Sequence, residues 1–161
     1  ISMCIMLTEL SEKIINFPKF SIIGTDICSK ALNKACSGNY TSFEISRGLS
    51  EERKQKYFTK SDDSWIVKNI ILDKIKYSNN NLLKSSMSER FDLILCRNIL
   101  IYQKIENKEL IVSRLRENLN PNGLLLLGVG ETLIGVNAKL TAVKHGKVVF
   151  YQNSINELKI A

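Results

Sequence analysis

Phe91-Asp-Leu-Ile-Leu-Cys-Arg-Asn-Ile-Leu-Ile-Tyr102 decides the reading of this chain. Its first six residues are apolar apart from Asp92, the pattern of a parallel strand buried on both faces. Arg97 and Asn98 follow where that strand ends. Polar groups at the carboxyl end of a parallel strand stand where open α/β sheets bind their ligands.

The flanking sequence supplies the rest of such a sheet. On the carboxyl side, Ile111, Leu115 and Leu119 recur at helical spacing with charge opposite, predicting a helix over 105–119. Pro121-Asn-Gly123 reads as a turn and Leu124–Leu127 as the next buried strand. Leu140–Val143 and Val148–Tyr151 flank His145-Gly146 as a terminal antiparallel pair. On the amino side, apolar spacing predicts a helix over 1–16, stopped before Pro18. Phe20–Asp26 reads as a strand, followed by a helix over 30–37 with Ser29 as its N-cap and Gly38 at its end. A charged helix over 49–58 is capped by Ser50, and Trp65–Lys68 and Asp73–Tyr77 read as short strands or a strand pair. Alternating helices and strands that close with a hairpin describe a doubly wound α/β sheet with an antiparallel edge.

Bulk composition narrows the function classes. A length of 161 residues with 44% hydrophobic and 24% charged residues is ordinary for one globular domain. No apolar run approaches the roughly 20 residues of a membrane span, and the start lacks the basic region of a signal peptide. The 23 Lys+Arg against 16 Asp+Glu give +7, but the charges are scattered, with no block that would form a nucleic-acid arm. Cys4, Cys28, Cys36 and Cys96 form no Cys-x-x-Cys and His145 is the single histidine, so no metal site is expected. A reducing cytoplasm is the simplest compartment for free thiols.

Four pieces, in order, resemble the CheR-type chemotaxis methyltransferases. They are Gly24-Thr-Asp26-Ile27 with Ser29-Lys-Ala-Leu32 and Ala35; Tyr40-x-x-Phe-Glu with Arg47-Gly-Leu49 and Tyr57-Phe58; Asn81-Leu-Leu83; and Cys96-Arg-Asn-Ile-Leu-Ile-Tyr102. Pro121-Asn-Gly123, Leu127-Gly128 and Glu131-Thr-Leu133 fit the same pattern. The resemblance implies a Rossmann-like, class I S-adenosylmethionine-dependent methyltransferase fold over 1–152, a small β-subdomain insertion at 57–77, and a tail at 153–161. It implies S-adenosyl-L-methionine as cofactor and glutamate side chains of a methyl-accepting chemotaxis receptor, or a similar acidic helical protein, as substrate. No nucleic-acid partner and no membrane insertion are then expected.

Roles follow the matched positions. The acid matching Asp26 holds the cofactor ribose in the family, and capping of the following helix is the alternative. Asn81 and Leu82 match the pair that holds the adenine, against a turn asparagine and a core leucine. Arg97 and Asn98 match residues lining the methionine end of the cofactor and the methyl-transfer site. A guanidinium there can steer an incoming carboxylate, unless it is tied into a salt bridge. Tyr102 resembles a tyrosine near the reacting centre, with a packing role as the alternative. Arg97 and Tyr102 are therefore the catalytic candidates, and Asp26, Asn81, Leu82, Arg97 and Asn98 the cofactor-binding ones. In members that dock a receptor tail, the β-subdomain has a glycine-containing tip. Here Lys60-Ser-Asp-Asp-Ser64 stands there instead, which argues against tail docking.

The family's helical amino-terminal domain, first strand and glycine-glutamate cofactor loop have no counterpart in the 161 residues. The expectation is a fragment or truncation with impaired activity, whose flanking strands keep unpaired edges. A catalytically silent CheR-like interaction module in signalling is the alternative. An RNA or small-molecule methyltransferase has only the +7 charge in its favour, since Arg97-Asn98 stands where an amino-methylation motif would follow the strand.

Overall fold

The computed structural model describes residues 1–153. Two compact units divide the chain, Ile1–Asn80 and the part from Asn81 onward.

The first unit opens with α1 (Ser2–Lys13), then β1 (Ile22–Asp26) and α2 (Ser29–Ser37). Gly38 ends α2 in the left-handed region at φ 59°, a backbone state open to glycine without a Cβ penalty. β1 pairs in parallel with β5 (Ile75–Asn79), from Ile22 opposite Ile75 to Asp26 opposite Asn79. Between them lie β2 (Asn39–Thr41), the short helices α3 (Ser42–Ser46) and α4 (Glu51–Tyr57), β3 (Phe58–Ser61), β4 (Ser64–Val67) and α5 (Asn69–Leu72). β2, β4 and β3 form an antiparallel sheet in that order. Cys4 and Ile5 of α1, Tyr57, Phe58, Val67 and Ile71 make the buried core. Arg53 of α4 clamps Glu9 of α1 bidentately, Nε to Oε1 at 2.9 Å and Nη2 to Oε2 at 2.6 Å.

The second unit contains β6 (Phe91–Cys96), a 3-10 turn at Leu100–Tyr102, α6 (Ile105–Glu117), β7 (Leu119–Leu127), β8 (Thr141–His145) and β9 (Val148–Gln152). Its sheet runs β6-β7-β9-β8, with β6 and β7 parallel and the other pairs antiparallel. Cys96, Leu125 and Leu127 pack with Ile111, Val112 and Leu115 of α6. Asn118, at the end of α6, is buried and fully used. Its Nδ2 donates to the carbonyls of Met87 (2.7 Å) and Glu89 (2.9 Å), and its own carbonyl accepts from Phe91 N–H (2.8 Å). That clamp fixes where β6 begins.

The parallel strands, the terminal hairpin and the helices over 2–13, 29–37, 51–57 and 105–117 agree with the sequence reading. Several details differ. β6 is an outer strand of its sheet, and Leu93 and Leu95 are each 41% exposed, so the strand is not buried on both faces. The N-cap of α2 is Cys28 rather than Ser29. Pro121-Asn-Gly123 lies inside β7 as an irregularity, because two steps from Phe91 to Leu93 oppose five from Leu119 to Leu124. Trp65–Val67 and Ile75–Tyr77 are not partners. The first belongs to the antiparallel sheet, which also takes in β2, and the second to the parallel pair. Of the 57–77 stretch, only β3 and β4 lie in the small sheet. Residues 154–161 of the expected tail fall outside the described residues, while Asn153 donates through its backbone N–H to the carbonyl of Gly123 at 2.9 Å. β1 and β6 each have one hydrogen-bonded neighbour among the described residues.

Leu125→Ala removes a fully buried side chain and is expected to cost about 2–5 kcal/mol. Leu93→Ala, on the open face of the outer strand, is expected to cost roughly 1 kcal/mol or less. Urea unfolding followed by circular dichroism separates the two, and equal losses would contradict the placement of β6.

Candidate functional site

The candidate residues lie at the carboxyl ends of parallel strands. Asp26 ends β1 in the first unit. Its Oδ1 accepts the Cys28 N–H at 2.8 Å, so it does cap the start of α2. Its other carboxylate oxygen has no hydrogen bond among the described residues and remains open to a donor. The neighbouring backbone is held from β5: Asn80 N–H donates to the Asp26 carbonyl (3.2 Å) and Asn79 Nδ2 to the Ile27 carbonyl (3.0 Å).

In the second unit, Asn81 and Leu82 open a turn. The Leu83 N–H closes on Asn81 Oδ1 at 2.9 Å, and Lys84 and Ser85 N–H groups donate to the Asn81 carbonyl. Leu82 is half-buried against the second core, and its carbonyl accepts from Arg114 Nη1 of α6 at 2.7 Å. The structural alternatives for this pair, a turn asparagine and a packing leucine, are thus both realised. The amide nitrogen of Asn81 has no partner among the described residues.

Arg97 and Asn98 leave β6 directly. Arg97 is exposed and makes no ion pair or hydrogen bond among the described residues, so the salt-bridge alternative is not met. Asn98 sits in the left-handed region at φ 59°. Tyr102 is 80% exposed, which removes a packing role. The structure therefore brings Arg97, Asn98 and Tyr102 into one loop, places Asn81 and Leu82 in a separate turn of the same unit, and sets Asp26 in the other unit.

Glu131 is a functional candidate that the sequence reading did not assign. Its Oε2 accepts N–H groups of Asn98 (2.7 Å) and Gly128 (2.8 Å), and its Oε1 accepts those of Ile99 (3.0 Å) and Ile101 (3.1 Å). The one signal for it was an acid three residues beyond Gly128, after the Leu124–Leu127 strand. Partial burial pushes this carboxyl up, but the backbone N–H groups of Asn98, Ile101 and Gly128 outweigh it and hold it below its ordinary value. Cys96, one residue before Arg97, is buried. Burial first, and then the Glu131 charge, push its thiol up to about 12, so it is no nucleophile near neutral pH. No group of three metal-ligating side chains occurs among the described residues, and no described helix is long and apolar enough to cross a membrane.

Parallel strand pairs with their polar groups at the carboxyl ends, an α-helical crossover and a closing antiparallel hairpin define the class I methyltransferase type of α/β fold. The N-methyltransferase NodS from Bradyrhizobium japonicum, solved with S-adenosyl-L-homocysteine, shares that fold. It has a TM-score of 0.52 and 19% identity, over 91% of this chain and 73% of NodS. Residues 1–149 match the family described as CheR methyltransferase, SAM binding domain, and the chain belongs to it. It is 38% identical over 133 residues to chemotaxis protein methyltransferase Cher2 of Pseudomonas putida, covering 81% of this chain and 48% of the relative. It is 33% identical over 154 residues to chemotaxis protein methyltransferase 1 of Vibrio cholerae, covering 94% and 56%. The chain thus spans about half the length of these curated relatives.

Two measurements check the site. Brief alkylation of the native protein followed by mass spectrometry is expected to modify the exposed Cys28 and Cys36 and to spare the buried Cys4 and Cys96. Glu131 has a folded pKa below its ordinary 4.5. Its contribution to stability is complete above that ordinary value and disappears as pH falls through the lower folded one. The urea midpoint is expected to fall with pH in this window, and Glu131→Gln to flatten that dependence.

Proposed function

We propose that this chain is the cofactor-binding part of an S-adenosylmethionine-dependent protein-glutamate O-methyltransferase acting on chemoreceptor-type proteins in the cytoplasm. Family membership supports the cofactor. The observation that carries the rest is Arg97, an exposed cation without an ion-pair partner among the described residues, directly beyond the end of β6.

Each unit carries groups that suit a part of the cofactor. In the first, the open oxygen of Asp26 can accept a ribose hydroxyl; in the second, the amide of Asn81, with Leu82 beside it, can meet the edge and face of an adenine. Arg97 and Asn98 suit the methionine end. When bound, S-adenosylmethionine supplies a methyl group on a positively charged sulfonium. A substrate glutamate, with a pKa of about 4.3, is already ionised near neutral pH. Its carboxylate oxygen would accept that methyl group directly, with the bonding pair left on sulfur and no proton moved. The chain therefore needs no general base, and its work is orientation and electrostatic guidance. Arg97 steers the incoming carboxylate, and the exposed Tyr102 hydroxyl orients it.

Calorimetric titration of S-adenosyl-L-homocysteine into this chain tests the reading. The expected result is weak binding, short of the roughly −8 kcal/mol of a micromolar site, and weakened roughly tenfold or more again by Asp26→Ala, the loss typical of a hydrogen bond to a charged group. A folded chain that shows no heat would sink the cofactor reading and favour a catalytically silent interaction module. Methylation of receptor glutamates by the longer protein, lost in Arg97→Ala, then tests the substrate.

A further inference from the structure

We propose that Glu131 is a positioning residue whose carboxylate sets the shape of the loop after β6, the loop that carries Arg97, Asn98 and Tyr102. The link from that loop to methyl transfer rests on the function proposed above; the latch itself does not.

An ionised carboxylate offers about four acceptor sites. In Glu131 four are filled, all by backbone N–H groups: Asn98, Ile99 and Ile101 after β6, and Gly128 after β7. No water-exposed acceptor remains to draw Arg97 into an ion pair, and none remains to take a proton from a substrate. Glu131 is thus a cross-link between two loops rather than a group that meets the reacting atoms. Its own N–H donates to the Gly128 carbonyl at 3.0 Å, which closes the β7 side into a tight turn.

Two features of the local sequence fit that cross-link. Asn98 holds φ 59°, a left-handed state that asparagine adopts more readily than other residues with a Cβ, and its N–H and that of Gly128 make the two shortest of the four bonds to Glu131. Gly128 has no room for a side chain: a Cβ there would collide with Glu131 Oε2 and stand 2.7 Å from Asn98 Oδ1. The left-handed asparagine, the glycine and the acid form one unit of local structure.

Amide hydrogen exchange on the wild-type chain, read residue by residue by NMR, tests the latch without any variant. Asn98, Ile99 and Ile101 are exposed, and Glu131 is the acceptor of their N–H groups. Slow exchange at these amides is expected, and exchange at the free-peptide rate would overturn the proposal. Glu131→Gln then places an NH2 donor where N–H groups converge. The three amides are expected to exchange roughly tenfold faster or more, while the β8–β9 hairpin keeps its protection. Unchanged exchange would overturn the latch. With S-adenosyl-L-homocysteine as probe, the variant is expected to bind at least about tenfold more weakly than wild type. Equal affinity despite a loosened loop would overturn the positioning role. A wild-type chain that binds no probe would count against the cofactor reading alone, with exchange still deciding the latch.

Discussion

The parallel pairing of β6 with β7 is the constraint from which the second unit follows. Cys96 stands opposite Leu127, so both strands end at the same level and both exit loops leave side by side. Parallel neighbours cannot be joined by a tight turn, and α6 makes the return, laying Ile111 and Leu115 on Leu125 and Leu127. Only because the exits adjoin can a side chain from one loop collect the N–H groups of the other. The β1–β5 pair repeats the logic in the first unit, with Asp26 opposite Asn79 and the amides of Asn79 and Asn80 holding the exit of β1.

The two carboxylates at strand ends show how surroundings divide labour between like side chains. Asp26 uses one oxygen on the Cys28 N–H and keeps the other open. Glu131 has all its acceptor capacity committed to the backbone. An acid with a spare oxygen can receive a ligand, whereas a saturated one can only hold structure. Chemical type alone does not distinguish them, and their sequence neighbourhoods, each a glycine-containing segment beside an apolar strand, are alike.

That likeness explains what could be read from the chain and what could not. Hydrophobic period gave β6, β7, the hairpin and α6, since each has a strong apolar pattern. The turn residues Pro121, Asn122 and Gly123 misled, because the same chemistry that bends a chain also serves an irregularity within a strand; Asn122 takes φ 62° without ending β7. The α3 helix was missed although Thr41 and Glu44 form a capping box, with Glu44 N–H donating to Thr41 Oγ1 at 3.2 Å. Five residues offer too little period to detect. Burial of β6 was overestimated because apolar composition reports what a strand can bury, while the number of its neighbours decides what it does bury. Among the site residues, matched motifs located Arg97, Asn98 and Tyr102 in one loop. The assignment of Glu131 needed three-dimensional proximity between residues about 30 positions apart.

The exposed Leu93 and Leu95 on the outer strand β6 have a colloidal consequence. A strand with one partner offers its free backbone edge to any other strand, and apolar side chains beside that edge reward the contact. In this chain the opposing force is the formal charge of +7, which keeps copies apart through mutual repulsion. That repulsion reaches only about 8 Å at physiological ionic strength and shrinks further as salt is added. Edge-to-edge contact between copies is therefore expected to grow as salt is added and as the protein is concentrated.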